Sequence, residues 1–309
     1  MIKNIIKKIE NDSSSLCLVD EPLKKHTTYG IGGPADLMVF PNNKEDLIRV
    51  IEIINENNMQ LTILGSGSNI LVSDNGIRGV VISLKKSLKE VNVNENILYA
   101  ECGAMLGKIV RLAVRNNLIG LENLNGVPGT LGGALIMNAG AWGGEISENL
   151  VNVELINSKN ELKKVPKKDI NFSYRKSSFD KNDILLSAEF NLKKAEKNLI
   201  KENFSKAQSG RTSSQPLDKR SAGSLFKNPR NNSAGKLLDN AGLKGFSIGG
   251  AKISEKHANF FINDGNASSN EMLQLIKKAH KEVKKQFDID LSLEVKLIGF
   301  DADEIEELC

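Results

Sequence analysis

The stretch GVPGTLGGALIMNAGAWGG, from Gly126 to Gly144, decides how the rest of the chain is read. Seven of the chain's 26 glycines fall in it, and most of its other positions are Ala, Leu, Thr or Asn. Glycine lacks a Cβ, so it lets main chain come close to a ligand and adopts positive φ without a steric penalty, although it loses more conformational entropy on folding than other residues. So local a concentration has two physical explanations. One is a large, flat or phosphorylated ligand lying directly on main chain, with N–H groups presented as a nest. The other is a set of tight turns between strands, and composition leaves both open.

A second stretch of the same kind lies upstream. Gly65-Ser66-Gly67-Ser68-Asn69 follows the apolar run Leu61-Thr62-Ile63-Leu64, so a short strand enters a loop of backbone N–H and hydroxyl donors. That composition suits a pyrophosphate. It is not the dinucleotide G-x-G-x-x-G fingerprint, because Ile70-Leu71-Val72 reads as more strand and no helix follows. Nor is it a Walker loop, which needs Gly-Lys-Ser/Thr. Two such loops suit a long cofactor held by a fold other than the Rossmann type.

Two further motifs accompany them: Thr27-Thr28-Tyr29-Gly30-Ile31-Gly32-Gly33-Pro34-Ala35-Asp36 before, and Ser221-Ala222-Gly223-Ser224-Leu225-Phe226-Lys227-Asn228-Pro229 after. Together, and in this order from Lys25 to Phe300, they resemble the UDP-N-acetylenolpyruvoylglucosamine reductase family, flavoenzymes that complete UDP-N-acetylmuramate for bacterial peptidoglycan. The resemblance implies an α+β fold: a two-subdomain FAD-binding module of the PCMH/vanillyl-alcohol-oxidase type over residues 1–84 and 85–200, then a C-terminal α+β substrate domain over 201–309. It implies FAD as cofactor, NADPH as co-substrate, and UDP-N-acetylglucosamine enolpyruvate as the compound reduced. Gly65, Ser66, Gly67, Ser68, Asn69, Gly129, Thr130, Gly132, Gly133, Asn138, Gly140 and Ala141 are then the flavin-binding positions. The compact spacing between Arg175 and Ser224 resembles the shorter of the family's two forms.

The totals agree with a soluble enzyme of two or three domains. The chain has 309 residues, 40% hydrophobic and 26% charged, and a net charge of +4 that is too small to argue for a nucleic-acid partner. Cys17, Cys102 and Cys309 are odd in number and widely spaced, against a disulfide framework or zinc knuckle, and His26, His257 and His280 are scattered, so no metal is expected. Residues 1–12 alternate Ile pairs with Lys, an amphipathic helix rather than a signal peptide. No apolar run of membrane-spanning length occurs, and a cytoplasmic location without membrane partners is expected.

Local patterns give an outline of the elements. Leu47, Val50, Ile51 and Ile54 predict a helix over 44–58, capped by Asn43 with Asp46. Residues 91–93 and 97–100 predict a hairpin, and Leu106, Ile109, Val110 and Ala113 a helix. Strands are expected near 151–155 and 184–192. The polar run Ser209–Pro216 reads as a domain junction. Beyond it a helix with Leu237 and Leu238, strands near 246–253 and 259–262, and a long helix with a Ser268/Glu271 capping box are expected, ending in a strand over 291–300.

Leu291, Leu293, Val295 and Leu297 fall on one face of that last strand, which sends Glu294 to the other. By pattern alone this is a solvated face, Ser224 is a turn serine without a nucleophile elbow, and Arg175 is a solvated or paired arginine. The resemblance assigns all three a catalytic role: Ser224 as proton donor, Glu294 as the catalytic carboxylate, and Arg175 as the arginine facing the enolpyruvyl carboxylate, which its fork geometry suits. Lys227 and Asn228 are implied substrate contacts, and Arg211, in the junction before the third unit, is a candidate for contacting the substrate diphosphate. Two other readings stay open: another oxidoreductase of the same flavin superfamily, which does not require Ser221–Pro229 or Glu294, and a non-catalytic nucleotide-sugar-binding regulator.

Overall fold

The computed structural model describes Ile2–Leu308 and divides into two compact units. The first holds the residues up to Leu18, Leu37–Ser66 and Gly79–Arg211; the second holds Val19–Asp36, Gly67–Arg78 and the residues from Thr212 onward. Residues 19–36 and 67–78, both within the expected first subdomain, thus cluster with the C-terminal part of the chain. Cys309 lies outside the described residues.

In the first unit, helices α1 (Ile2–Asp12) and α2 (Lys44–Glu56) carry apolar residues at three- and four-residue spacing. Ile5 and Ile9 of α1 bury against a core that includes Leu47, Val50, Ile51 and Ile54 of α2 with Val80 and Ile82. Asn43 caps α2 by accepting the Asp46 N–H at 2.7 Å, as the sequence predicts. Leu61–Leu64 runs parallel to Val80–Ser83 beneath these helices and delivers the chain to the first glycine loop.

A five-stranded antiparallel sheet forms the other half of this unit, in the order Leu162–Pro166, Leu150–Ile156, Ile184–Asn191, Ile97–Glu101, Val91–Asn94. Helix α3 (Leu106–Arg115) covers it, burying Ile109, Val110 and Ala113 with Leu98, Ala100, Val153, Ala188 and Phe190. The second glycine stretch contains a short helix, α4 (Leu131–Ile136), and a small hairpin pairing Gly140–Ala141 with Gly144–Glu145. The sequence gives no sign of α4, because Gly132 and Gly133 carry the lowest helix propensity short of proline. Helix α5 (Lys197–Ser214) runs through Ser209–Ser214, where a polar junction is expected; the division between the units, at Arg211/Thr212, nevertheless falls there.

The second unit has an antiparallel sheet in the order Arg220–Ser224, Phe260–Asn263, Ala251–Ile253, Ser247–Ile248. Helices α6 (Ala234–Asn240) and α7 (Ser269–Phe287) pack on it, with Met272, Leu275, Ile276, Ala279 and Val283 of α7 buried. The predicted capping box is present: Ser268 Oγ accepts the Glu271 N–H at 3.1 Å, and the Ser268 N–H donates to Glu271 Oε2 at 2.9 Å. The expected strand over 291–300 is regular only at Lys296–Ile298, parallel to Ile70–Val72. Its inward alternation survives in part, with Leu291 and Val295 buried and Ser292 and Lys296 exposed. Among the described residues no helix is long and apolar enough to cross a membrane.

Candidate active site

The two glycine stretches meet inside the first unit. A Cβ placed on Gly65 would lie 2.5 Å from Thr130 Oγ1, so a side chain there would press the first loop off the second unless Thr130 moved. The second stretch is fastened to the end of strand Ile97–Glu101 by main-chain bonds. Leu106 N–H donates to Gly129 C=O, Leu131 N–H to Ala104 C=O, and Gly132 N–H to Cys102 C=O, all at 2.9–3.0 Å. At Gly132 a Cβ would sit 3.3 Å from that of Cys102, whose thiol, pushed up by burial, is held in its neutral form. Thr130 is buried, while Gly133 is exposed.

The remaining loop residues divide between the units, with Ser66 in the first and Ser68 in the second, both half-buried. Gly67, at φ 64°, packs so tightly on the His26 carbonyl that no Cβ fits, and its own carbonyl accepts the Thr28 N–H at 3.0 Å. Asn69 is committed to protein: its side-chain amide donates to Glu294 C=O at 3.1 Å, and its carbonyl accepts the Lys296 N–H at 3.0 Å. Asn138 has no exposed surface, so its side chain works as an internal tie. It donates to Glu145 Oε2 at 2.6 Å and to Ser173 C=O at 3.2 Å, and Asn138 Oδ1 is buried without a partner.

That tie reaches Arg175. A two-residue turn, Tyr174-Arg175, joins Phe172–Ser173 to Lys176–Ser177, and Arg175 takes φ 55° there. The hairpin is stitched to the glycine stretch by Asn138 to Ser173 C=O, by Ser177 Oγ to Ile136 C=O at 2.7 Å, and by Arg175 Nη2 to Gly140 C=O at 2.8 Å. Arg211 lies at the other end of the stretch, its Cδ 3.0 Å from where a Cβ on Gly126 would be. Burial pushes its guanidinium pKa below the ordinary value, and among the described residues it has no ion-pair partner. An arginine thus stands at each end of the second glycine stretch.

Ser224 and Glu294 belong to the second unit and lie on neighbouring backbones. Ser224 ends strand Arg220–Ser224, next to Gly223 at φ 78°. The Glu294 N–H donates to Leu225 C=O at 2.8 Å, the Lys227 N–H donates to Ser292 C=O at 2.9 Å, and Phe226 bridges Leu293. Buried Asn259 holds the same segment, accepting the Phe226 N–H on Oδ1 at 2.9 Å and donating from Nδ2 to Phe226 C=O at 2.8 Å. Asn228 Oδ1 accepts the Ala234 N–H at 3.0 Å, tying the end of the motif to the first turn of α6.

The sequence reading passed over Asn259, Glu145 and Trp142. A polar residue inside the apolar run Ala258–Ile262 was the available signal for Asn259, since such a residue is kept only where it is hydrogen-bonded. Trp142, at φ 52°, lays its ring on Gly210 of α5 so closely that a Cβ there would enter the ring, a contact without any local signature.

Comparison with known proteins gives two family matches along the chain. Residues 215–298 match the family described as UDP-N-acetylenolpyruvoylglucosamine reductase, C-terminal domain, and residues 35–165 match that described as FAD binding domain. The UDP-N-acetylenolpyruvoylglucosamine reductase of Caldanaerobacter subterraneus subsp. tengcongensis is 43% identical, over 91% of this chain and 93% of its own. That of Agathobacter rectalis is 41% identical, over 97% and 99%. The crystal structure of the reductase from Thermus caldophilus superimposes with a TM-score of 0.78 at 32% identity, covering 92% of this chain and 98% of that one. With such identity sustained over nearly the full length of both partners, this chain belongs to the UDP-N-acetylenolpyruvoylglucosamine reductase family.

Proposed function

We propose that this chain catalyses the NADPH-dependent, FAD-mediated reduction of UDP-N-acetylglucosamine enolpyruvate to UDP-N-acetylmuramate, with Arg175, Ser224 and Glu294 as its catalytic residues. The observation that carries the residue assignment is the backbone lattice of the second unit, in which Glu294 N–H donates to the carbonyl of Leu225, directly after Ser224, at 2.8 Å. It holds a hydroxyl donor and a carboxylate on adjacent main chains, as protonation of a carbon beside a developing enolate requires.

The residues of the first unit fit a flavin. Gly65 and Gly132 bring main chain close against Thr130 and Cys102, a Cβ falling 2.5 Å from Thr130 Oγ1 and 3.3 Å from Cys102 Cβ, and the exposed Gly133 and Gly143 leave open space over the stretch. Gly65, Ser66, Gly129, Thr130, Gly132, Gly133, Gly140 and Ala141 would hold the cofactor by main chain and hydroxyl, with Asn138 tying the stretch internally, and Gly67, Ser68 and Asn69 of the second unit are proposed as further flavin contacts. FAD, when bound, supplies the two-electron relay between NADPH and the enol ether. Arg175, anchored on Gly140 C=O, orients the enolpyruvyl carboxylate. Glu294 polarises the enol form as charge develops on it. Ser224 Oγ–H gives its proton to the carbon bearing the carboxylate, and the alkoxide left behind recovers a proton from solvent. Lys227, Asn228 and the half-buried Arg211 contact the substrate, Arg211 at its diphosphate. The reading carries with it a cytoplasmic site of action and small-molecule partners only, neither nucleic acid nor membrane.

The test is a visible spectrum under anaerobic conditions. Yellow protein that bleaches with NADPH and regains its colour on adding UDP-N-acetylglucosamine enolpyruvate performs both half-reactions. Bleaching reversed only by oxygen would refute the substrate assignment, and protein that stays colourless with added FAD would refute the flavin assignment.

A further inference from the structure

The stretch Thr27–Asp36 has no task in the chemistry above, yet its glycines line a pocket of about 430 Å³ in the second unit. Lys24, Asp74, Arg220 and Asn266 form its rim, with residues 30–33 contributing main chain. The floor is main chain packed on main chain. Gly33 N–H donates to Ser73 C=O at 2.9 Å, and neither Gly33 nor Gly76 has room for a Cβ, which would overlap the carbonyls of Asp74 and Pro34. Side chains therefore cannot fill this hollow. Gly30 and Gly32 adopt φ 66° and 137°, Ile31 and Gly32 are buried, and among the described residues the N–H groups of these two donate to no protein acceptor. Buried N–H groups are almost always paired, and consecutive ones beside positive-φ glycines form an anion-binding concavity.

The charges point the same way. Arg220 lies against Gly30, its Nη1 2.8 Å from where a Cβ would sit, so the missing side chain is what lets the guanidinium lie over the loop. Among the described residues neither Arg220 nor Lys24 has an ion-pair partner. The one carboxylate on the rim, Asp74, is engaged: its Oδ2 accepts the Ser269 N–H at 2.8 Å in the first turn of α7. Glu21, near Lys24 in sequence, pairs with Lys25 and His26. Arg220 and Ser224 occupy opposite ends of one strand, and no residue of Ser221–Pro229 lines the pocket. The pocket is thus separate from the catalytic segment.

We propose that this pocket binds a phosphate or diphosphate group, held by Lys24, Arg220 and the main-chain N–H groups of Ile31 and Gly32. Arg220 supplies a fork for two phosphate oxygens, Lys24 a point charge, and the loop two neutral donors. Its volume exceeds a bare phosphate, which fits a group carried on a small organic body. The assignment stands apart from the catalytic one, because none of these residues takes part in that chemistry.

The test is calorimetric titration of the flavin-loaded full chain at low salt with inorganic phosphate, pyrophosphate and glycerol 3-phosphate, in the presence of saturating UDP to fill any diphosphate subsite of the substrate. Saturable binding is expected, weakened about tenfold or more by Arg220→Ala or Lys24→Ala and only partly restored by Arg220→Lys, with Arg211→Ala neutral. Tighter binding of glycerol 3-phosphate than of the inorganic ions identifies a phosphorylated metabolite; the reverse order identifies free phosphate or diphosphate. Absence of saturable binding at millimolar concentrations, equal affinity in the Lys24→Ala/Arg220→Ala double variant, or loss on Arg211→Ala alone would overturn the proposal. Both rim cations are exposed, so their removal leaves the fold intact.

Discussion

Ser224 is a residue whose chemistry depends entirely on its setting. A serine hydroxyl is a poor acid, and at the end of strand Arg220–Ser224 it lies one residue before Leu225, whose carbonyl accepts the Glu294 N–H. Ser224→Ala should leave reduction of the flavin by NADPH within about twofold and slow its reoxidation by the enolpyruvyl substrate about 10²- to 10⁴-fold. Rapid-mixing traces with an unchanged second phase would remove Ser224 from the mechanism. Asn138 acts at the same scale by a different means. Removing its amide leaves Glu145 and the Ser173 carbonyl without this donor, so Asn138→Ala should cost about 1–3 kcal/mol in denaturant unfolding. It should also loosen the hairpin that carries Arg175, raising KM for the enolpyruvyl substrate while KM for NADPH holds.

Among the elements, the contact between the two glycine stretches makes the sharpest prediction. Gly65→Ala brings a methyl 2.5 Å from Thr130 Oγ1, but that methyl would lie 3.7 Å from Thr130 Cβ, an ordinary contact. The single substitution should therefore weaken FAD retention, and in a Thr130→Ala background its effect should largely vanish, a coupling on the order of 0.5–3 kcal/mol. Equal losses in both backgrounds, measured by flavin fluorescence on dilution, would show that the loops do not meet in this way. Elements also differed in how openly the sequence announced them. Helix α2 with its Asn43 cap and α7 with its Ser268/Glu271 box were legible because caps and apolar spacing are local signals. Helix α4 and the Arg175 hairpin were not, since two glycines in a helix and an arginine at φ 55° oppose local preference and persist through packing and the bonds to Gly140 and Ile136.

For the molecule as a whole, the displaced carboxylates and His257, which titrate in the acid range, all act on stability in one direction. Hydrogen bonds from Asn152 hold Glu189 below the usual carboxylate range, the Lys219 side chain does so for Asp264, and the Ser268 N–H for Glu271. His257 lies below its ordinary 6.5 because burial disfavours the imidazolium. In every case the unfolded chain takes up protons more readily than the folded one. The stability these groups contribute is present above their unfolded values and is lost as pH falls through the folded ones. The urea midpoint should accordingly decline below about pH 6.5 as His257 protonates in the unfolded chain, then more steeply below about 4.5, with Glu271→Gln flattening the second phase. A midpoint constant from pH 7 to 4 would contradict this.

The sequence by itself determined the family, through four motifs in order, and the outline of most helices and strands, because periodicity and caps act within a few residues. It also named Arg175, Ser224 and Glu294 through that resemblance. Only the tertiary structure decided that a side chain at Gly65 would press on Thr130, that Asn138 and Asn69 spend their amides on protein, and that Glu294 lies beside Leu225. Each of these joins segments distant in the chain, and no short-range preference encodes which distant backbone will fill the space beside a glycine or receive the hydrogen of a buried amide. The same holds for the pocket at Gly30–Gly33, where a turn motif became a charged hollow only when folding laid Arg220 across it.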